Sequence, residues 1–168
     1  MSISTEEQLL NACENGDCMT LFAMVRNDMI DFSMHNGAPL RIAVKNGHWK
    51  IVKILLTLPK NRPDPTMHEN LLFRQACELG HTEIVRYLLS LPGIDPSIRN
   101  SEALVLATKN KHTEIVKMLL QSKRINPNSE AQKCATLFGY TEIASMFEAK
   151  IDSNPAPSAP PSDDPVNY

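Results

Sequence analysis

Residues 80–97, GHTEIVRYLLSLPGIDPS, recur with few changes as residues 111–128, KHTEIVKMLLQSKRINPN. The HTEIV segment and the LL pair keep their places, whereas the residues between and after them differ. A near-copy at a short interval is typical of a structural unit that stacks on further copies of itself. The first question is therefore whether the same pattern continues along the chain.

The pattern continues in both directions at a nearly constant interval. With Gly80 as an anchor, equivalent positions follow one another at spacings of 31, 33, 31 and 28 residues. An alanine stands four residues before each anchor. We number the repeats 1 to 5 in chain order by their anchors, which are Gly16, Gly47, Gly80, Lys111 and Gly139. The corresponding alanines are Ala12, Ala43, Ala76, Ala107 and Ala135.

Apolar residues follow each anchor with the periodicity of a helix. In repeat 3 they stand four and five positions after the anchor, as Ile84 and Val85, and eight and nine positions after it, as Leu88 and Leu89. These offsets share one face of an α-helix. A shorter helix carries the alanine, and the anchor glycine permits a tight turn between the two helices. We therefore predict two helices in each repeat and about ten in all.

One helical hairpin has too narrow an apolar stripe to exclude water from both of its sides. Stacking the repeats buries a continuous core, because each repeat covers its neighbour. A capping box in SerThrGluGlu at residues 4–7 starts the first helix. The last repeat dilutes its apolar pattern with Ser145, Glu148 and Lys150. We expect capping repeats at residues 1–36 and 129–152, with three central repeats at 37–128.

These features resemble the ankyrin repeat, whose unit of about 33 residues has a turn, two antiparallel helices and a T-P-L-H-x-A opening. The resemblance covers about residues 5–150 and is clearest in residues 38–43 (APLRIA), 46–48 (NGH) and 80–89. Arg41 and Arg74 stand where the motif has histidine, so we expect weaker hydrogen bonding between repeats there. The resemblance implies an all-α solenoid of about five helix-turn-helix repeats.

The connector LPGIDPS is echoed in LPKNRPDPT and KRINPN, and it resembles ankyrin arrays of amoebae, giant viruses and bacteria that live inside such hosts. The resemblance implies a protein–protein interaction module that binds a partner through a concave surface. Such a module acts as an effector in the cytoplasm of a host cell, or as an adaptor or inhibitor subunit in the cytoplasm of its own cell.

In ankyrin-like arrays the contact surface is formed by the connector tips and by the exposed ends of the first helices. Carried over residue by residue, this implies two sets of contact positions in repeats 2 to 4. The tips are Met34, His35, Met67, His68, Ile98 and Arg99, and the helix ends are Lys45, Asn46, Glu78, Leu79, Lys109 and Asn110.

Two features of these positions have alternative explanations. The Met-His pair recurs at 34 and 67 either by duplication or because exposed methionine suits an adaptable contact surface. The only tryptophan, Trp49, replaces the threonine of three other repeats. It either packs on Lys53 or contacts a partner from the rim or back of the array. The predicted centre of the interface comes from the middle of the array: Met67, His68, Leu79 and Arg99.

Catalytic and metal-binding patterns are weak. Cys13 and Cys77 follow the recurring alanine and are predicted to be small buried residues, with a Cys-His catalytic pair as the alternative. His48, His81 and His112 occur once per repeat, too far apart to share a zinc ion, so we predict structural roles at the turns. We predict no enzyme, no cofactor and no metal.

The net charge of -2 and the pI near 6.2 give no overall attraction to nucleic acid or to an anionic membrane. A basic cluster is interpreted as a solvated helix face, with nucleic-acid binding as a weak third choice. Its members are Arg41, Lys45, Lys50, Lys53, Lys60 and Arg62.

The sequence contains no secretory signal and no apolar run of bilayer-spanning length. We therefore expect a soluble, cytoplasmic monomer that binds a protein, without membrane insertion. From residue 153 onward the sequence is SNPAPSAPPSDDPVNY, whose prolines and aspartates leave little apolar surface to bury. We predict a disordered tail at residues 153–168.

Overall fold

The computed structural model describes residues 4–26, 30–58, 61–125 and 128–153. Within these ranges the chain forms ten α-helices and no β-strand, which confirms the predicted all-α class. The predicted tail lies outside the described residues, except for Ser153 at the end of the last helix. The helices are α1 Thr5–Asn15, α2 Cys18–Val25, α3 Met34–Lys45, α4 Trp49–Thr57, α5 Met67–Leu79, α6 Thr82–Leu89, α7 Ile98–Lys109, α8 Thr113–Gln121, α9 Ser129–Leu137 and α10 Thr141–Ser153.

The helices form five hairpins that stack into two layers. Each odd-numbered helix packs on the next odd-numbered helix, and each even-numbered helix packs on the next even-numbered helix. The odd-numbered helices form one layer, which we call the inner layer, and the even-numbered helices form the other, which we call the outer layer. The predicted solenoid of five repeats is confirmed.

The core lies between the two layers and holds the residues that recur in sequence. All five alanines that precede the anchors are buried. In repeat 3, Ile84, Val85 and Leu88 are each fully buried, whereas Leu89 packs at the edge of the core. The helical offsets therefore identified the buried face of each helix correctly. The same positions recur because each repeat buries that face against its neighbour.

The anchors form the predicted turns between paired helices. Gly80 has φ of 79° and lies in the left-handed region, where glycine has no Cβ to clash. Lys111 takes the same conformation with φ of 59°, although it is not glycine. At the first helix, Ser4 Oγ accepts a hydrogen bond from the Glu7 backbone N–H at 3.1 Å, as the capping box predicts.

The connectors contain a feature that the sequence reading missed. Three consecutive residues lie in the left-handed region just after the first residue of α3, α5 and α7. In repeat 3 these are His68, Glu69 and Asn70, with φ between 53° and 59°. The regular part of each inner helix begins only after this segment, so the chain makes a sharp corner where it enters the helix. The other two segments are His35–Gly37 and Arg99–Ser101.

The last repeat is less polar at its surface than the sequence reading suggested. Ser145 and Glu148 are exposed as expected. The end of α9 nevertheless exposes two large apolar side chains, since Leu137 is 82% and Phe138 is 58% exposed. Phe138 stacks on Tyr140 with ring centroids 5.6 Å apart.

Candidate partner-binding surface

Each connector of repeats 2 to 4 begins with a short turn closed by an aspartate. The Oδ1 atom accepts two hydrogen bonds from the residue two positions later, one from its backbone N–H and one from its hydroxyl. The turn is therefore fixed by its own side chains before the inner helix starts. The pairs are Asp31 with Ser33 (2.9 and 2.6 Å), Asp64 with Thr66 (2.8 and 2.7 Å) and Asp95 with Ser97 (2.9 and 2.8 Å).

The same hydrogen bonds stabilise the charged carboxylates. The Ser33 hydroxyl and backbone N–H lower the pKa of Asp31 below its ordinary value of 3.8. The Ser97 backbone N–H and hydroxyl, helped by the charge of Arg124, lower the pKa of Asp95 in the same way. Both effects follow from donors that prefer an ionised acceptor.

The left-handed segments are held by side chains from the inner helices. Arg41 Nη1 lies 3.4 Å from each of two carbonyl oxygens of its own connector, and Arg74 approaches two connector carbonyls at the same distance. The buried Asn70 reaches the next repeat, where its Nδ2 donates to the Asp95 carbonyl at 3.1 Å. The corner at the start of the inner helix is thus held by its own repeat and, in repeat 3, by a bond to the next repeat.

Arg74 also links repeat 3 to repeat 4. Its Nη1 atom is 2.6 Å from Glu102 Oε2, and the Arg74 side chain is only 10% exposed. Arg99 lies 3.5 Å from the same carboxylate oxygen and 3.8 Å from Glu69. The arginine at the motif's histidine position therefore forms an ion pair between repeats, which the sequence reading did not anticipate.

The turn histidines fix the far ends of the inner helices. In each case the Nε2 atom contacts a backbone carbonyl of the preceding repeat, and since a carbonyl only accepts, Nε2 carries the proton. The predicted structural role of these histidines is confirmed. The pairs are His48 with Glu14 O (2.8 Å), His81 with Lys45 O (3.2 Å) and His112 with Glu78 O (2.9 Å).

We define the inner surface as two sets of positions in repeats 2 to 4. They are the connector tips at residues 34–36, 67–69 and 98–100 and the helix ends at residues 45–46, 78–79 and 109–110. These positions lie at the two ends of α3, α5 and α7, which pack on one another in one layer of the stack. Met34, Met67 and Ile98 are half-buried, and Met34 packs against the core. Both methionines are thus less exposed than the prediction assumed, and their contact with a partner stays a prediction.

Five further predicted positions already have partners within the chain. His35 is 3.7 Å from Glu6, and Lys109 is 3.2 Å from Glu130. Asn46 and Asn110 each donate through Nδ2 at 3.0 Å to a carbonyl four residues earlier, so they cap their own helices. Arg99, in its ion pairs with Glu69 and Glu102, is the fifth. These five side chains are less available to a second protein because they already bind groups within the chain.

The remaining inner-surface positions have exposed side chains without such partners. Lys45, His68 and Glu78 form no side-chain hydrogen bond or ion pair with another described residue. Leu79 is 43% exposed at the end of α5. The sequence reading missed Leu71, which is 38% exposed and lines a shallow cleft with His68. The sequence did not identify Leu71 as exposed, because it stands next to Leu72, another leucine, which is buried.

Trp49 lies apart from the other predicted positions. It is the first residue of α4 and belongs to the outer layer. Its side chain is 41% exposed and faces a groove between α2 and α4 that Lys53 also lines. Its two sequence interpretations, packing on Lys53 and contact with a partner, stay predictions.

The two cysteines that follow the recurring alanine do not show the features of reactive thiols. Cys13 and Cys77 are fully buried, as predicted. Burial raises the pKa of Cys13 to about 12 and also raises that of Cys77. No group of three potential metal ligands occurs within the described ranges. None of the helices in those ranges is both long and apolar enough to cross a bilayer.

Comparison with known families gives one match. The family model described as ankyrin repeats (3 copies) matches residues 58–131 and 73–154. Together these segments span more than half of the 168-residue chain. The matched region begins at the end of repeat 2, and repeats 1 and 2 have the same paired helices and turns. No curated protein matches the chain.

Proposed function

Because the chain belongs to the ankyrin-repeat family, whose arrays are generally protein–protein interaction modules, we propose that it binds a partner protein through the inner surface. The partner is held by shape and by a few side chains, and no covalent step is involved. Binding acts by occupying a surface of that partner.

One observation carries this proposal. Four side chains in the middle of the inner surface are accessible on a backbone that is held in place by hydrogen bonds and ion pairs. Such a framework loses little conformational entropy on association. The contacts made by its exposed side chains therefore contribute to affinity without a large entropic cost of ordering the backbone. The four are Lys45, His68, Glu78 and Leu79.

Charge and apolar contact alternate across this area. Lys45 belongs to repeat 2, and Glu78 occupies the same register in repeat 3. Leu79 adds apolar area beside Glu78 at the end of α5, and Leu71 adds it beside His68 near the start of that helix. A complementary partner surface therefore carries an acidic group opposite Lys45 in repeat 2, and a basic group beside an apolar contact opposite Glu78 and Leu79 in repeat 3.

The proposal applies in two cellular settings. In the first, the protein is an effector in the cytoplasm of a host cell, and in the second it is an adaptor or inhibitor subunit in the cell that makes it. Identifying the bound protein distinguishes the two settings, because it comes from the host cell in the first and from the cell that makes this protein in the second. No observation on the described residues favours the competing class, an enzyme with a Cys-His site.

A comparative pull-down tests the proposal. The baits are the wild-type protein, His68→Ala/Leu79→Ala on the inner surface, and Lys117→Ala/Gln121→Ala on the exposed outer face of α8. Mass spectrometry then compares the retained proteins. We expect a partner that the wild type and the outer-face control retain and that the inner-surface variant loses. A partner retained equally by all three baits contradicts the proposed surface.

A further inference from the structure

The outer layer of repeats 1 and 2 carries a groove that differs from the rest of that layer. It runs between α2 and α4 and encloses a cavity volume of about 690 Å³. We call it the outer groove and define it by Phe22, Val25, Trp49, Lys50, Lys53 and Ile54. Its volume lies within the range of about 300 to 1,000 Å³ that is typical of binding sites.

The repeat register shows that the groove's aromatic residues are departures from a polar pattern. Six positions after the anchor, repeat 1 has Phe22, whereas repeats 2 to 5 have lysine, arginine, lysine and serine. Two positions after the anchor, repeat 2 has Trp49, whereas repeats 3 to 5 have threonine. Phe22 is 55% and Trp49 is 41% exposed, and both departures line one groove. The stack does not require either side chain, since sister repeats pack without them.

The charge pattern changes at the same place. Three positions after the anchor, repeats 3 to 5 have glutamate, but repeat 2 has Lys50. In repeat 3 that glutamate, Glu83, lies 3.8 Å from Arg86. Lys50 and Lys53 lack such a partner: neither forms a side-chain hydrogen bond or ion pair with any residue in the described part of the chain. No carboxylate lies among the described residues that line the groove.

The combination points to the chemistry of the occupant. Exposed aromatic surface favours an apolar contact, and two unpaired ammonium groups beside it favour carboxylates. α4 spans nine residues, which corresponds to about 13 Å at 1.5 Å per residue. A short helix with one apolar face suits a groove of that length between two helices. We propose that the outer groove docks an amphipathic helix of a partner protein, with its apolar face on Phe22 and Trp49 and its acidic residues at Lys50 and Lys53.

This surface is separate from the inner surface, so the two proposals stand or fall independently. The residues of the groove come from α2, α4 and the end of repeat 2, on the outer layer. The inner surface consists of connector tips and the ends of odd-numbered helices. A protein with both surfaces can hold two partners together.

Trp49 allows a direct test because it is the only tryptophan in the chain. The probes are two synthetic peptides of about 15 residues, long enough for a helix to form on binding. Both have leucine at helical spacing on one face, and they differ only in having glutamate or lysine on the flanks. Binding to the full-length protein is followed by tryptophan emission, which shifts to shorter wavelength when the indole is covered.

We expect the glutamate peptide to produce a saturable shift and the lysine peptide to bind at least tenfold more weakly. Lys53→Glu should remove this preference, whereas Lys117→Glu, which changes the same register in repeat 4, should leave it unchanged. Phe22→Lys introduces the residue found at that register in repeat 2 and should weaken binding at least tenfold. Met19→Lys, 80% exposed on α2 outside the groove, is its control.

Three outcomes overturn the proposal. The first is that neither peptide shifts the emission, and the second is that both peptides bind equally well. The third is an emission shift that appears on raising the protein concentration alone, together with a doubled mass in sedimentation, because the occupant is then a second copy of the chain. The inner-surface variants take no part in this experiment, so its result does not depend on the inner-surface proposal.

Discussion

At the scale of single residues, the turn glycines and turn histidines work as pairs across neighbouring repeats. A Cβ built on Gly80 lies 2.5 Å from the His112 ring, so the absence of a side chain makes room for the imidazole. The imidazole then donates to the carbonyl at the end of the same inner helix. At the last junction both members change together: Lys111 replaces glycine, and Tyr140 replaces histidine, with the ammonium 5.4 Å from the ring centroid.

This pairing predicts that two glycines with similar backbone conformations differ in how they tolerate alanine. Gly139 has φ of 68°, and a Cβ added there would have no neighbour within 4 Å. Gly139→Ala should therefore lower the free energy of unfolding by only about 1 kcal/mol, the cost of placing alanine in the left-handed conformation. Gly80→Ala should also displace His112 and lose its hydrogen bond, for a total of about 2 to 3 kcal/mol. Urea unfolding of both variants measures the difference.

A double-mutant cycle separates the two contributions to the cost of Gly80→Ala. In a His112→Ala background the clash is absent, so Gly80→Ala should cost about as much as Gly139→Ala. The same cost for Gly80→Ala in both backgrounds would mean that the histidine does not determine the requirement for glycine.

The connector aspartates predict an acid-sensitive contribution to stability. Since the folded pKa values of Asp31 and Asp95 lie below the ordinary 3.8, their contribution is complete above that pH and is lost as pH falls through the lowered folded values. Asp31→Ala/Asp95→Ala should therefore lose less free energy of unfolding between pH 5 and pH 3 than the wild type. Urea titrations at both pH values provide the test, and equal losses would contradict it.

At the scale of the helices, burial at the repeat interface should dominate the effect of leucine substitutions. Leu88 and Leu119 are fully buried, so Leu88→Ala or Leu119→Ala should each reduce the free energy of unfolding by about 2 to 5 kcal/mol. Leu137 is 82% exposed at the end of α9, and Leu137→Ala should change it by less than about 0.5 kcal/mol. Denaturant unfolding compares the three, and a large effect at Leu137 would show that the last repeat packs differently.

The helices were predictable because their buried faces recur at fixed offsets from the anchor. The left-handed connector segments were not, because they include residues such as Glu69, Arg99 and Ser101, which have no intrinsic preference for a positive φ. Hydrogen bonds from Arg74 and from Asn70 itself hold that conformation, and these depend on tertiary contacts. The groove at Phe22 was missed for a related reason, since it requires two outer helices to be placed side by side.

At the scale of the whole molecule, the stack separates a rigid framework from accessible side chains. Two of the four residues at the predicted centre of the interface are less available, since Met67 is half-buried and Arg99 is engaged in ion pairs. His68 and Leu79 remain accessible at the middle of the inner surface. They are therefore the substitutions that probe binding without loosening the array.

For an isolated partner, this predicts a specific loss of affinity. His68→Ala/Leu79→Ala should weaken binding at least tenfold, about 1.4 kcal/mol, while the melting temperature stays close to that of the wild type. Isothermal titration and thermal unfolding give the two quantities. A loss of affinity accompanied by a large fall in melting temperature would instead indicate damage to the framework.

The central claim is that a partner protein occupies the inner surface, and hydrogen exchange of the full-length protein with and without that partner tests it most directly. The account predicts added protection at the connector tips of residues 34–36, 67–69 and 98–100 and at the ends of α3 and α5, with α8 unchanged. Protection confined to the even-numbered helices, with the connector tips exchanging at the same rate in both samples, would contradict it.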